Sequence, residues 1–198
     1  MSYSCVADIY RANDEVRARL VERVGSLDEE TQNYRADEKA WTVAEIVEHL
    51  AALERRLSKL FTMMVGKVES VAAAAAVGAG DGPHFKPFSL EELTERACRE
   101  KYVAPEEVRP SGGVPVADSL ARLRESRAAV EALRERIERA DMSVAAYPHP
   151  VFGPLNFYQW LAFIGIHEQR HLDQIERLLD SRAEGEARNF RGDKGRDS

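Results

Sequence analysis

Cysteine is nearly missing from this chain: its 198 residues include only Cys5 and Cys98, far apart and without CxxC spacing. A disulfide scaffold and a paired-cysteine metal site are thereby excluded, and a reducing, cytoplasmic setting is expected. An excess of basic residues is missing too. The 28 Lys and Arg stand against 34 Asp and Glu, a formal charge of −6, the opposite of the basic stripe a dedicated nucleic-acid binder carries. No apolar run is long enough to span a membrane, and no basic stretch followed by an apolar one marks a secretory signal. Strand alternation is almost absent; Val151-Phe152, set between prolines and a glycine, is too short to build a sheet. What is present is a chain 44% hydrophobic and 31% charged. That content excludes disorder, and the length allows roughly 70% of the unfolded surface to be buried in one core.

Four segments carry helical periodicity, near residues 4–24, 42–65, 115–140 and 154–181. In the first, Val6, Ile9, Val16, Leu20 and Val24 share a face with one polar intruder, Asn13, and Gly25 is expected to stop the helix in a left-handed conformation. The second opens at Trp41-Thr42, where Thr42 and Glu45 have the spacing of a capping box. Its stripe runs from Val43 to Met64, and Gly66 is expected to end it. The third carries Val116, Leu120, Leu123, Val130, Leu133 and Ile137 on one side. The fourth is expected to begin at Pro154, a residue suited to a first helical turn. Residues 66–114 form a long connection rich in Ala, Gly and Pro, with a short serine-capped helix expected at Ser89. Such connections commonly cover a site or form an interface. Four amphipathic helices bury their stripes best as an all-α four-helix bundle, one domain over residues 1–182, with 183–198 read as a disordered tail.

The five histidines carry the chemistry. His84 falls in the Gly/Pro-rich connection and is read as a surface residue. His149, between two prolines just ahead of the fourth helix, has a place at a pocket mouth as its alternative but is read as an exposed loop residue. His167 and His171 differ, because i, i+4 spacing sets both rings on one side of the fourth helix, one turn apart, where two imidazoles can grip one ion. His171 lies inside that helix's apolar arc and His167 toward its edge. His49 lies on the flank of the second helix's stripe, able to face the pair if the two helices pack. Glu168 sits roughly 20° from the centre of the apolar arc, at 100° per residue, and a carboxylate there requires a partner such as Arg56. On residue chemistry alone two accounts stand: hydrogen-bonded core histidines, or metal ligands with Glu168 serving as proton shuttle or as a carboxylate orienting a ligand. His167-Glu-Gln-Arg-His171 also matches the H-E-x-x-H pattern of zinc proteases, but the Gly-x-x-His continuation is missing and no well-placed downstream glutamate follows.

Trp41-Thr-Val-Ala-Glu-Ile-Val-Glu-His49-Leu, His149-Pro-Val-Phe-Gly and Trp160…His167-Glu-Gln-Arg-His171-Leu-Asp-Gln-Ile together resemble the DinB/YfiT-like superfamily of bacterial four-helix-bundle metalloproteins. The resemblance covers nearly the whole helical core. It implies that His49, His167 and His171 are three metal ligands with further positions left open, and that the connection between the second and third helices is long. Imidazole ligands suit divalent zinc, nickel, iron or copper, with zinc or nickel expected first. The acidic bundle, its Ala/Gly-rich connection and the family's habit of pairing suggest a homodimer acting on a small molecule. The acidic charge and the lack of a long apolar run leave nucleic acid and membrane outside the expected partners. Proteins of this superfamily include thiol transferases that use bacillithiol or mycothiol and a mycothiol-dependent isomerase, so a low-molecular-weight thiol is one expected co-substrate. In the enzyme reading Glu168, beside the ligands, is the expected catalytic carboxylate. The alternatives are a non-catalytic metal-binding or dimerisation domain, or a zinc hydrolase built on the His-Glu-Gln-Arg-His motif.

Overall fold

A computed structural model of the chain describes residues 2–74, 85–91, 95 and 104–193. The apolar stripes become helices that pack as a bundle: α1 (Val6–Gly25), a short α2 (Glu29–Gln32), α3 (Val43–Ala74), α4 (Val116–Glu131), a one-and-a-half-turn α5 (Arg134–Arg139) and α6 (Phe157–Asp193). Helix α3 packs along α4, and α6 packs along α1 and α3. Two antiparallel two-stranded ribbons complete the described residues: β1 (Ser2–Tyr3) with β2 (Phe88–Ser89), and β3 (Ala146–His149) with β4 (Gly153–Asn156). Among the described residues no helix is long and apolar enough to cross a membrane.

Several boundaries differ from the sequence expectation, each for a local reason. The Thr42–Glu45 capping box forms in both directions, at 2.9 and 3.2 Å. Gly66, however, does not end α3, which continues to Ala74. A glycine inside a helix costs about 1 kcal/mol, and Val68 packing on the core together with the Glu69–Arg136 ion pair offsets it. Gly25 is the last residue of α1, and the cap is Ser26 in the right-handed region, its hydroxyl donating to Arg23 O. The third segment breaks at Ala132–Leu133 into α4 and α5. Pro154 lies in β4 rather than in a helix, and α6 starts at Phe157 because Asn156 and Gln159 cap each other's backbone N–H at 2.9 Å. The expected disordered tail is helical as far as Asp193. Arg182 ties that extension to Glu30 and Thr31 and lies over the Tyr34 ring. Residues 194–198, His84, Cys98 and most of the short helix expected after Ser89 lie outside the described residues.

The core has two apolar clusters. One gathers Ile9, Tyr10, Phe61, Val130, Ile137, Phe157 and Leu161; the other gathers Leu20, Val24, Ile46, Val47, Leu123, Leu172 and Ile175. Between them runs a charged layer with one residue from each bundle helix. Arg17 of α1 bonds Glu54 of α3 and, at 2.5 Å, Glu168 of α6. Arg127 of α4 lies 3.3 Å from Glu54 and 3.7 Å from Glu168. Two guanidinium groups and two carboxylates leave the layer formally neutral, which is the condition under which buried charge is tolerable. Asn13, the polar residue in the first stripe, bridges α1 to α6: its amide donates to Leu161 O at 2.9 Å and accepts from Gly165 N at 3.0 Å.

Candidate metal centre

His49 projects from the second turn of α3, and His167 and His171 from successive turns of α6. Packing of these two helices brings together one nitrogen of each ring, all three within 4.8 Å of one another. The ring centroids of His49 lie 5.2 Å from His167 and 4.9 Å from His171, and the pair on α6 is 4.5 Å apart. The Nε2 atoms of His167 and His171 are separated by 3.3 Å. Two nitrogens bound to one tetrahedral ion at ~2.0–2.1 Å are separated by about 3.3–3.4 Å. The His167–His171 pair therefore has the spacing of two ligands of one divalent ion, and a nitrogen of His49 lies within 4.8 Å of both.

The tautomers fit as well. His49 Nδ1 lies 2.7 Å from Val108 O, a pure acceptor, so Nδ1 carries the proton and Nε2 the lone pair. His171 Nδ1 lies 2.9 Å from Gln174 Oε1, with the same consequence. A ligand histidine ordinarily donates its second N–H to such a group. All three rings are held neutral. Burial lowers the pKa of His49 against the opposing bond to Val108. Burial and the neighbouring His49 take His171 down to about 3, and burial with His171 and His49 takes His167 well below the usual value. Neutral imidazole is the form that binds metal. Trp41 covers the cluster, its ring 5.0 Å from His49 and 6.4 Å from His171, and Phe163 lies 5.4 Å from His167.

Glu168 occupies the layer beneath. It is 2% exposed, its carboxylate turned to Arg17 and Arg127. The arginine named as an example of a partner, Arg56, is not the one found; the requirement for a partner is met by Arg17. A cavity of about 10 Å³ is lined by His167 together with Arg17, Glu54 and Glu168, room for about one water molecule.

His149 is not the exposed loop residue expected. The β3–β4 ribbon folds it onto α6, half-buried, with its ring 4.6 Å from Phe152, 5.0 Å from Trp160 and 4.8 Å from Phe163. Nδ1 accepts from the N–H groups of Val151 and Phe152, so its proton sits on Nε2, and burial lowers the pKa to about 4. Helical rotation says nothing about a residue in a ribbon, so this placement had no sequence signal. Gln174, one turn beyond His171, had one in its i, i+3 spacing; Val108 had none.

Comparison with known proteins places the family and the fold. YuaE of Bacillus subtilis (strain 168) is 28% identical over 175 residues, covering 84% of this chain and 94% of YuaE. Among solved structures the fold matches YfiT of Bacillus subtilis, described as a probable metal-dependent hydrolase with an unusual four-helix bundle topology. That match has a TM-score of 0.57 at 18% identity and covers 91% of this chain and 87% of YfiT. It also matches TT2238, a four-helix bundle protein, with a TM-score of 0.54 at 22% identity, covering 87% of this chain and 98% of TT2238. The family model of the DinB superfamily matches residues 12–175, a span that contains the charged layer and all three clustered histidines, and the chain belongs to that superfamily.

Proposed function

We propose that this protein is a divalent-metal-dependent enzyme acting on a small molecule, with His49, His167 and His171 as the ligands and transfer of a low-molecular-weight thiol to an electrophilic carbon as the reaction. The observation that carries this reading is the convergence of three neutral imidazoles without a fourth protein ligand in the cluster among the described residues. Structural zinc sites are closed by four residues, whereas catalytic ones keep a position free. Imidazole donors suit zinc, nickel, iron and copper alike, and an ion held there would lower the pKa of a bound thiol or water and so supply a nucleophile near neutral pH. Val108 and Gln174 fix the tautomers of two ligands, and Trp41 and Phe163 shield the cluster with aromatic surface. In the transfer itself a sulfur–carbon bond forms, the leaving group departs with its electron pair, and the thiol proton is released. Hydrolysis of the H-E-x-x-H type is less well supported, because Glu168 is turned to Arg17 instead of standing free to polarise a water.

The test is elemental analysis of protein purified without a histidine tag, followed by assays that combine electrophiles with several small thiols. Stoichiometric metal and thiol-dependent turnover are expected, and His171→Ala should lose the metal, because two imidazoles bind weakly. Metal with no thiol dependence would move the assignment toward hydrolysis or a non-catalytic role. We also propose a homodimer, so light scattering at micromolar concentration should give about twice the 22.2 kDa of one chain; a species of the single-chain mass would exclude it.

A further inference from the structure

The residue preceding the first histidine is itself a buried acid. Glu48 is 9% exposed, a position where a carboxylate needs partners. It finds them in the last part of the long connection. One oxygen accepts from Ser111 N at 2.9 Å and Ser111 Oγ at 2.6 Å, and the other accepts from Gly112 N at 3.1 Å. Successive N–H groups turned to one anion form a nest, and here the chain enters it through Gly112 at φ +80°, in the left-handed region that glycine tolerates. Three residues before this clamp, the one-turn 3-10 helix Glu106–Val108 ends, and the Val108 carbonyl meets His49 Nδ1. The same short strap is thus tied to α3 at two adjacent residues, by a carboxylate at 48 and by an imidazole at 49.

We propose that Glu48 is a positioning residue for the metal centre: by clamping Ser111 and Gly112 it holds the Val108 carbonyl against His49, which keeps the proton on Nδ1 and the lone pair of Nε2 directed at the other two histidines. Without the clamp the strap loses one of its ties to α3, the Val108 carbonyl is held less firmly, and the proton of His49 is no longer fixed on Nδ1. The effect on metal binding rests on the ligand assignment proposed above; the effect on the His49 ring does not.

Two measurements separate these. In metal-free protein, long-range proton–nitrogen correlation spectra of the imidazoles report the tautomer directly. The wild type should show His49 protonated at Nδ1, and Glu48→Ala should show a mixture. Glu48→Gln, which keeps the volume and one acceptor but turns an N–H₂ toward a backbone N–H, should fall between them and guards against an alanine variant that does not fold. Zinc titration should then show affinity falling roughly 10–100-fold in Glu48→Ala, the range found when partners of metal ligands are removed. Cobalt substitution should show an altered ligand-field spectrum in the same variant. An unchanged single tautomer in the folded variants would overturn the role of Glu48. Wild-type protein that binds neither zinc nor cobalt would overturn the ligand assignment, leaving the tautomer result to judge Glu48.

Discussion

Glu168 shows how far a single residue can be read before its neighbours are known. Its rotation into the apolar arc of α6 announced that a partner must exist; which partner depended on how α1 crosses α6, and Arg17 supplies it. Replacing Glu168 with Gln leaves the two guanidinium groups with one buried carboxylate, Glu54, and with the exposed Asp14 that pairs with Arg127 at 2.7 Å. Stability should therefore fall by about 3 kcal/mol, measured by urea denaturation, while zinc content stays unchanged. Lost turnover at unchanged stability and metal content would instead return the carboxylate to the catalytic role its motif suggests. His167 and His171 were legible because i, i+4 spacing is a property of the sequence itself. His49 was legible only as a candidate, since a flank position does not say which helix it will face.

At the scale of elements, periodicity identified the four bundle segments, and the Thr42 cap fixed the start of α3. It missed the break at Ala132–Leu133 and the β3–β4 ribbon, where four-residue strands carry two prolines and packing on α6 decides the conformation. It also missed the length of α6, because a polar, glycine-containing stretch reads as disorder until Arg182 gives it something to hold. The crossing of α1 and α6 at Gly165 is close enough to be tested. A Cβ built there would lie 2.4 Å from Asn13 Oδ1 and 3.3 Å from Asn13 Cα. The amide can swing aside only by giving up its bonds to Leu161 and Gly165, and the backbone atom cannot move without shifting α1. Gly165→Ala should therefore destabilise by about 1–3 kcal/mol, read as a lowered urea midpoint. A stabilised variant would mean that the helices separate easily at this point.

For the whole molecule, buried neutral histidines dictate the response to acid. In the unfolded chain a histidine titrates near 6.5, whereas in the fold His149 is held at about 4 and His171 at about 3. Above pH 6.5 neither state takes up these protons. Between about pH 6.5 and 4 the unfolded chain binds them and the fold does not, so stability falls as the pH is lowered through that window. Metal-free protein should accordingly show a lower urea midpoint at pH 5 than at pH 7.5, and His149→Gln should flatten part of the slope. An equal midpoint at both pH values would mean that these rings take up protons without disturbing the fold.

The charged layer has a kinetic consequence. Each bundle helix contributes one ionised side chain to it, and no helix can bring its own charge out of water until the opposing ones have arrived. A form with three helices docked and the fourth detached would bury an unbalanced charge, which places it high on the free-energy surface. The layer therefore acts as a coincidence detector during assembly. The slowest-exchanging backbone amides on all four helices should report a single opening free energy, with no helix peeling away ahead of the others.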